Sequence, residues 1–383
     1  MNIKLPILSL ALLCGMATAN ATLYQFTNAL GDGDTSNVAN YVVLNEGKAN
    51  YVWNLPLLFP ENYNKEDMSA SDSDGVHTLV NTYKAATSLP TASDTIYFST
   101  YKIAEADADG NPIRNDNGTK KYTELPSSKN RTIKFLNSTT TGTFFQRGVQ
   151  TIKLGSADST DEKFTLSLTR YAVGYTSNCS IDKDENAAQS YFEINTTGDF
   201  ESTNGTLRIG NVGTENYIDK LSVGGTLKIK GSTKVTSYAK EIDAGSISIE
   251  KSAIFNIFFA ENIFTSKDAI VVIDKDFKIA DDSTIQNINL DFSALDFSEV
   301  KAGDKFDLIS AGNVTGFDIN DTSVNFTYDG VSASLEPELG AELVWNNDNV
   351  LQLVITGNVP EPSTVALIFG AVAIAFVAMR RRK

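Results

Sequence analysis

The sequence predicts an all-β protein, a single-stranded parallel β-helix (β-solenoid), with an address for export at each end. Three observations lead there. A five-residue pattern recurs at twenty-residue spacing in the middle of the chain. Apolar and polar residues alternate in short runs over most of the rest. The composition, at 42% hydrophobic and 21% charged over 383 residues, is that of a folded chain with a sizeable core.

The address at the start is built from Met1-Asn2-Ile3-Lys4, a mainly apolar run from Leu5 to Leu13, and two small-x-small sites ending at Ala19 and Ala21. A basic start, a short apolar centre and Ala-x-Ala make a signal peptide over residues 1–21, cut at Ala19 or Ala21 and delivered to a secretion translocon. A lipid-modified Cys14 is the weaker reading, because Leu13 stands where a small residue is needed.

Residues 22–90 read as a cap with early strands and a short helix. A solenoid needs a cover for its first open edge. Val76, Leu79, Val80 and Tyr83 lie at helical spacing, which predicts a helix over Asp74–Ala86 behind Ser71-Asp72-Ser73.

Residues 91–285 carry the repeat. Gly205-Thr206-Leu207-Arg208-Ile209 returns as Gly225-Thr226-Leu227-Lys228-Ile229 and as Gly245-Ser246-Ile247-Ser248-Ile249. Looser copies begin at Thr95, Thr132, Thr151 and Thr165. Alternation at period two makes a strand with one buried face, and a fixed period near twenty implies one coil per repeat. This places Leu207, Leu227 and Ile247 in one internal column and Ile209, Ile229 and Ile249 in the next, with Arg208, Lys228 and Ser248 outside. Val235, Phe255 and Ile279 follow at a further fixed offset. A β-sandwich is the alternative, since its strands also recur at short intervals. Residues 286–357 lose the period and read as closing strands, the last two around Leu343-Val344-Trp345 and Val350-Leu351-Gln352-Leu353.

The far end, residues 358–383, reads Val359-Pro360-Glu361-Pro362, then an apolar helix over 364–379, then Arg380-Arg381-Arg382-Lys383. About 15 apolar residues rise roughly 22 Å, which the flanking Ser363, Thr364 and arginines extend toward a span. The four cations act as a membrane stop and stay inside. These three parts in order resemble the PEP-CTERM sorting signal of bacterial surface proteins. The resemblance implies recognition of Pro360, Glu361 and Pro362 by an exosortase, a membrane-embedded enzyme of Gram-negative bacteria. It also implies cleavage there after transient anchoring, and a destination on the cell surface or outside, often with exopolysaccharide. Residues 90–357 resemble, more loosely, the β-helical passengers of autotransporters, without the membrane β-barrel that those carry.

The net charge of −15 argues against nucleic acid as a partner. Loss of Lys4, Arg380, Arg381, Arg382 and Lys383 with the two ends takes it to about −20. Cys179 is then the single cysteine of the mature chain, and burial is its expected place. Catalysis finds little to work with. His77 is the one histidine, and Asp281-Asp282 is a carboxylate pair whose two members, adjacent in sequence, would point to opposite faces of a strand. Asp107–Asn111, Asp116–Gly118 and Gly31-Asp32-Gly33-Asp34 gather calcium-type oxygens, yet Asp, Asn and Gly are also ordinary turn formers. The expectation is a structural or adhesin-like surface protein that is not an enzyme and has no cofactor, calcium being the one candidate. The alternative is a β-helix that binds or cleaves carbohydrate, marked by a solvent-facing groove with carboxylates, a cation and flanking aromatic rings.

Overall fold

In the computed structural model the chain is all-β. It describes residues 22–44, 79–80, 83–99, 102–104, 114–118, 122–124, 131–148, 150–173, 177–211, 217–280, 287–293, 295–316, 322–325, 327–328, 331–332 and 339–357. Among these, the only helical pieces are two short 3₁₀ turns, Val38–Asn40 and Glu261–Phe264. The alternation read from the sequence sets the strands. Tyr191–Thr196 and Gln150–Leu154 bury every second residue, and the residues between them look outward.

One long strand, Ile218–Ser237, shows how the ladders run. Bends at Gly224-Gly225 and near Gly231 divide it into three straight pieces, each paired in parallel above and below. Three ladders result, named here by their residue in this strand. In the Leu221 ladder, Leu166, Ile194, Leu221, Ile242, Val271 and Ile309 lie in register, all buried. In the Leu227 ladder the column is Ile96, Phe144, Tyr171, Phe200, Leu227, Ile247 and Phe277. In the Val235 ladder, Leu207, Val235, Phe255 and Ile288 succeed one another.

The register corrects the twenty-residue reading. Leu227 does stack on Ile247 and Ile229 on Ile249. Leu207 and Ile209, however, pair with Val235 and Ser237, in another ladder. Phe200 takes the place expected of Leu207, twenty-seven residues before its partner Leu227. Ile279 likewise pairs with Ile249 and is not in the Val235 column. The cause lies in the corners. Gly205 follows Asn204, whose φ of 48° turns the chain between the Leu227 and Val235 ladders. Gly225 and Gly245 sit at the preceding corner, between the Leu221 and Leu227 ladders. Two corners with similar local sequence look like one repeat.

That preceding corner has no room for side chains. A Cβ on Gly198 would lie 2.6 Å from Thr169 O, and one on Gly245 would lie 2.6 Å from Gly224 O and 2.7 Å from Gly225 O. The obstacles are backbone atoms of the neighbouring rung, so glycine is required for close approach. Inside, rings stack along the ladder, with centroids 5.3 Å apart for Phe144 and Tyr171 and 4.4 Å for Tyr171 and Phe200. The fully buried Tyr171 hydroxyl donates to Gln146 Oε1 at 2.5 Å, and burial holds its pKa well above the usual phenol range. Cys179 is also buried, its Sγ 3.3 Å from the Gly148 carbonyl oxygen that accepts from it. Outside, ion pairs cross from rung to rung: Arg170 to Glu201 at 2.9 Å, Lys230 to Glu201 at 3.1 Å, Arg208 to Asp182 at 2.9 Å, and Lys228 to Asp199.

At each end of the stack an antiparallel pair lies over one ladder. Leu23–Phe26 begins the Leu227 ladder and pairs antiparallel with Tyr41–Leu44, which pairs antiparallel with Tyr83–Ala85. The helix expected over Asp74–Ala86 is therefore absent where that segment is described: Leu79–Val80 and Tyr83–Ala85 are strands. Pairing with the cap edge overrides the helical spacing. Residues 28–40 fold over the first rung of the Val235 ladder, where the Lys134 N–H donates to Gly33 O at 2.8 Å. Asn40, fully buried, holds this loop by accepting from the Leu30 N–H and donating to Asp32 Oδ1 and Asp34 O. Asp32 and Asp34 also accept from backbone N–H groups two residues on, so these oxygens serve as turn caps. At the other end the hairpin Leu339–Trp345 and Val350–Gly357 lies antiparallel on Lys305–Thr315.

Two outcomes follow. Gly245→Val is expected to cost roughly 2–4 kcal/mol and lower Tm in a thermal melt, while Gly357→Ala, whose Cβ would meet only Ala302 at 3.7 Å, is expected to be neutral. The second concerns Asp199. Partial burial pulls its carboxyl up, but hydrogen bonds from Lys228 and the Thr226 N–H outweigh that and hold it below its ordinary 3.8. A depressed folded pKa gives stability that is present above the unfolded value and lost as pH falls through the folded one. The Tm gap between wild type and Asp199→Asn should be widest near neutrality and close below about pH 4. A gap that stays constant in acid would refute this assignment.

Candidate functional site

Alternation along Ala239–Ile249 turns Ile242 and Ala244 into the core and Glu241 and Asp243 outward. The next rungs of this ladder continue outward with Val272 and Ser310, and the closing strand adds Val350, each in register with the last. This row is the floor of a groove. Its wall is the segment between Phe258 and Val271, which leaves the Val235 ladder through the turn Glu261–Phe264 and enters this one through Ser266, Lys267 and Asp268. The wall is pinned by buried Ile263, by the Asn262 amide donating to Lys240 O at 3.0 Å, and by Phe264 set edge-on to Phe297 and Phe306 at 5.3 and 5.2 Å.

The groove encloses about 460 Å³ and is lined by four carboxylates, Glu241, Asp243, Asp268 and Asp307, with Lys267. Lys220, one rung below, binds Asp243 and lies 3.8 Å from Glu241. The hydrogen bond to Asp243 raises the Lys220 pKa against a smaller opposing effect of burial, so it stays cationic. Asp307 accepts from Gln352 Nε2 at 2.6 Å, which fixes its carboxylate. Chemically this is a row of carboxylate acceptors, Asp243 and Asp307 held by their partners, suited to hydroxyl or ammonium groups. None of the lining residues is aromatic, so a sugar ring would have no face to stack on. Among the described residues no cluster of three or more His, Cys, Asp or Glu is arranged to hold a metal ion.

The residues singled out by sequence are not among those that line this groove. Ala19, Ala21, His77, Asp281, Asp282, Pro360, Glu361, Pro362 and Arg380–Lys383 all lie outside the described residues. So does the apolar stretch 364–379, and no helix among the described residues is long and apolar enough to cross a membrane. The groove was not found from sequence. Alternation alone would have put Glu241 and Asp243 outside, but their wall and their neighbours Ser310 and Val350 depend on coil lengths that the sequence does not show.

Comparison with curated proteins and with solved structures finds no match. Residues 358–383 match the family model of the PEP-CTERM protein-sorting motif. The chain is thus a bearer of a PEP-CTERM sorting motif, which implies export, a membrane-anchored sorting signal and processing by exosortase-type machinery on the way to the surface.

Proposed function

We propose that this is an exported cell-surface protein of structural or adhesin-like character, without catalytic activity, cut at Pro360-Glu361-Pro362 by an exosortase. The motif match at residues 358–383 carries this reading. A signal peptide over residues 1–21 starts the export, and Arg380–Lys383 hold the chain in the membrane until it is cut. The three parallel ladders wind as one β-solenoid, a rod whose outer faces are open to the matrix around the cell. Its acidic exterior keeps it soluble and repels anionic lipid. Exopolysaccharide is the partner such a surface would meet.

Intact mass and terminal sequencing of protein from surface and medium, with and without the processing enzyme, test this. The expected product starts near Asn20 or Thr22 and ends near Pro360. A C-terminus at Lys383 in the presence of the enzyme would defeat the sorting claim.

The carboxylates and Lys267 of the groove over the Leu221 ladder favour a second reading, a carbohydrate-binding rod that holds sugar hydroxyls by hydrogen bonds without ring stacking. Here Asp243→Asn with Asp307→Asn should weaken co-sedimentation with isolated exopolysaccharide severalfold. Release of new reducing ends or unsaturated products during that incubation would instead reveal an enzyme.

A further inference from the structure

The closing strand Val350–Gly357 is the last described element, and its final residues are paired: Ile355 with Ala341, Thr356 with Gly340, Gly357 with Leu339. Only Asn358 and Val359 separate Gly357 from Pro360. Three steps of extended chain reach at most about 11 Å. A membrane enzyme that cuts at the motif therefore works against the folded end of the protein.

The pairing and the reading compete for the same backbone. An extended segment is bound through its main-chain N–H and C=O groups over several residues. Upstream of the motif, Asn358 and Val359 are the only residues in sequence before those whose groups the hairpin pairs. Pro360 and Pro362 have no N–H to offer. The hairpin end is graded in strength. Gly357 is exposed and Thr356 half-buried, so their pairs are cheap to open. Ile355 is buried, and its N–H donates to Asp304 O at 2.9 Å while its carbonyl accepts from the Gly303 N–H at 2.8 Å. Fraying should stop there.

We propose that Thr356 and Gly357 must unpair from Gly340 and Leu339 before the motif is processed, so that the closing hairpin gates release of the protein. This rests on the exosortase reading above. When opening is fast relative to cutting, the cleavage rate follows the population of the open form.

The test is pulse-chase processing in cells that hold the processing enzyme. Gly340→Cys with Thr356→Cys places a disulfide across the register pair, and buried Cys179 does not compete for it. The oxidised variant is expected to be cut about tenfold more slowly. Reduction should restore the rate. A Gly-Ser insertion of about six residues between Gly357 and Asn358 should also restore it, because it adds about 20 Å of free chain. Cutting of the oxidised, uninserted variant at the wild-type rate would overturn the gate. Should the paired cysteines prevent folding, the insertion alone in the wild-type chain decides: faster processing supports the gate, and an unchanged rate refutes it. A wild-type chain left uncut in those cells would defeat the exosortase reading itself, and the gate with it.

Discussion

Parallel pairing of one strand on the next is the interaction on which everything else rests. No rung here buries its apolar side chains alone. Leu221 is buried because Ile194 and Ile242 lie below and above it, and the same holds for Tyr171 between Phe144 and Phe200. The spacing between rungs is fixed by backbone hydrogen bonds at about 4.8 Å. Whatever stands at a corner must fit that spacing, which is why glycines face the carbonyls of their neighbours at the Leu221–Leu227 corner. The same spacing aligns outward side chains, so Arg170, Glu201 and Lys230 fall into one ion-paired line across successive rungs. A stack of this kind has two open ends, and both need cover. Asn40 and its loop serve one end, and the hairpin ending at Gly357 serves the other.

Much of this was legible in the sequence, at the level of the single strand. Thr95–Ser99, Thr132–Phe135 and Gln150–Leu154 form strands where alternation put them, with the inward residues buried. What failed was register. Leu207 and Leu227 share a motif yet face different ladders, because a period read from sequence cannot tell one corner of a coil from another. The sequence separation between paired rungs varies with the segments at the remaining corners. Leu227 meets Ile247 after twenty residues, but Ile247 meets Phe277 after thirty. The helix predicted before Ala86 failed for a related reason: its apolar spacing was real, but Tyr83–Ala85 had a strand edge to join.

The candidate sites divide in the same way. The sorting motif is local and linear, so the order of its three parts could be read directly and the family match agrees. The groove is made by register. Asp243, Val272, Ser310 and Val350 are far apart in sequence and meet only because their rungs stack. Its wall is an insertion in one coil, anchored by Phe264 against Phe297 and Phe306 from later parts of the chain. Nothing in the spacing of acidic residues announces such a place.

The unequal strictness of the corners has a consequence for how such a chain changes over time. At Gly198, Gly225 and Gly245 backbone packs on backbone, and an added atom has nowhere to go. Where the chain passes from the Val235 ladder back to the Leu221 ladder, the connection ranges from Tyr238 alone to the whole segment 292–304. Insertions and deletions can thus accumulate along one edge of the body without disturbing its cross-section. That edge is where related chains can diverge in length and acquire new recognition loops, and where a foreign peptide could be grafted with the scaffold left intact.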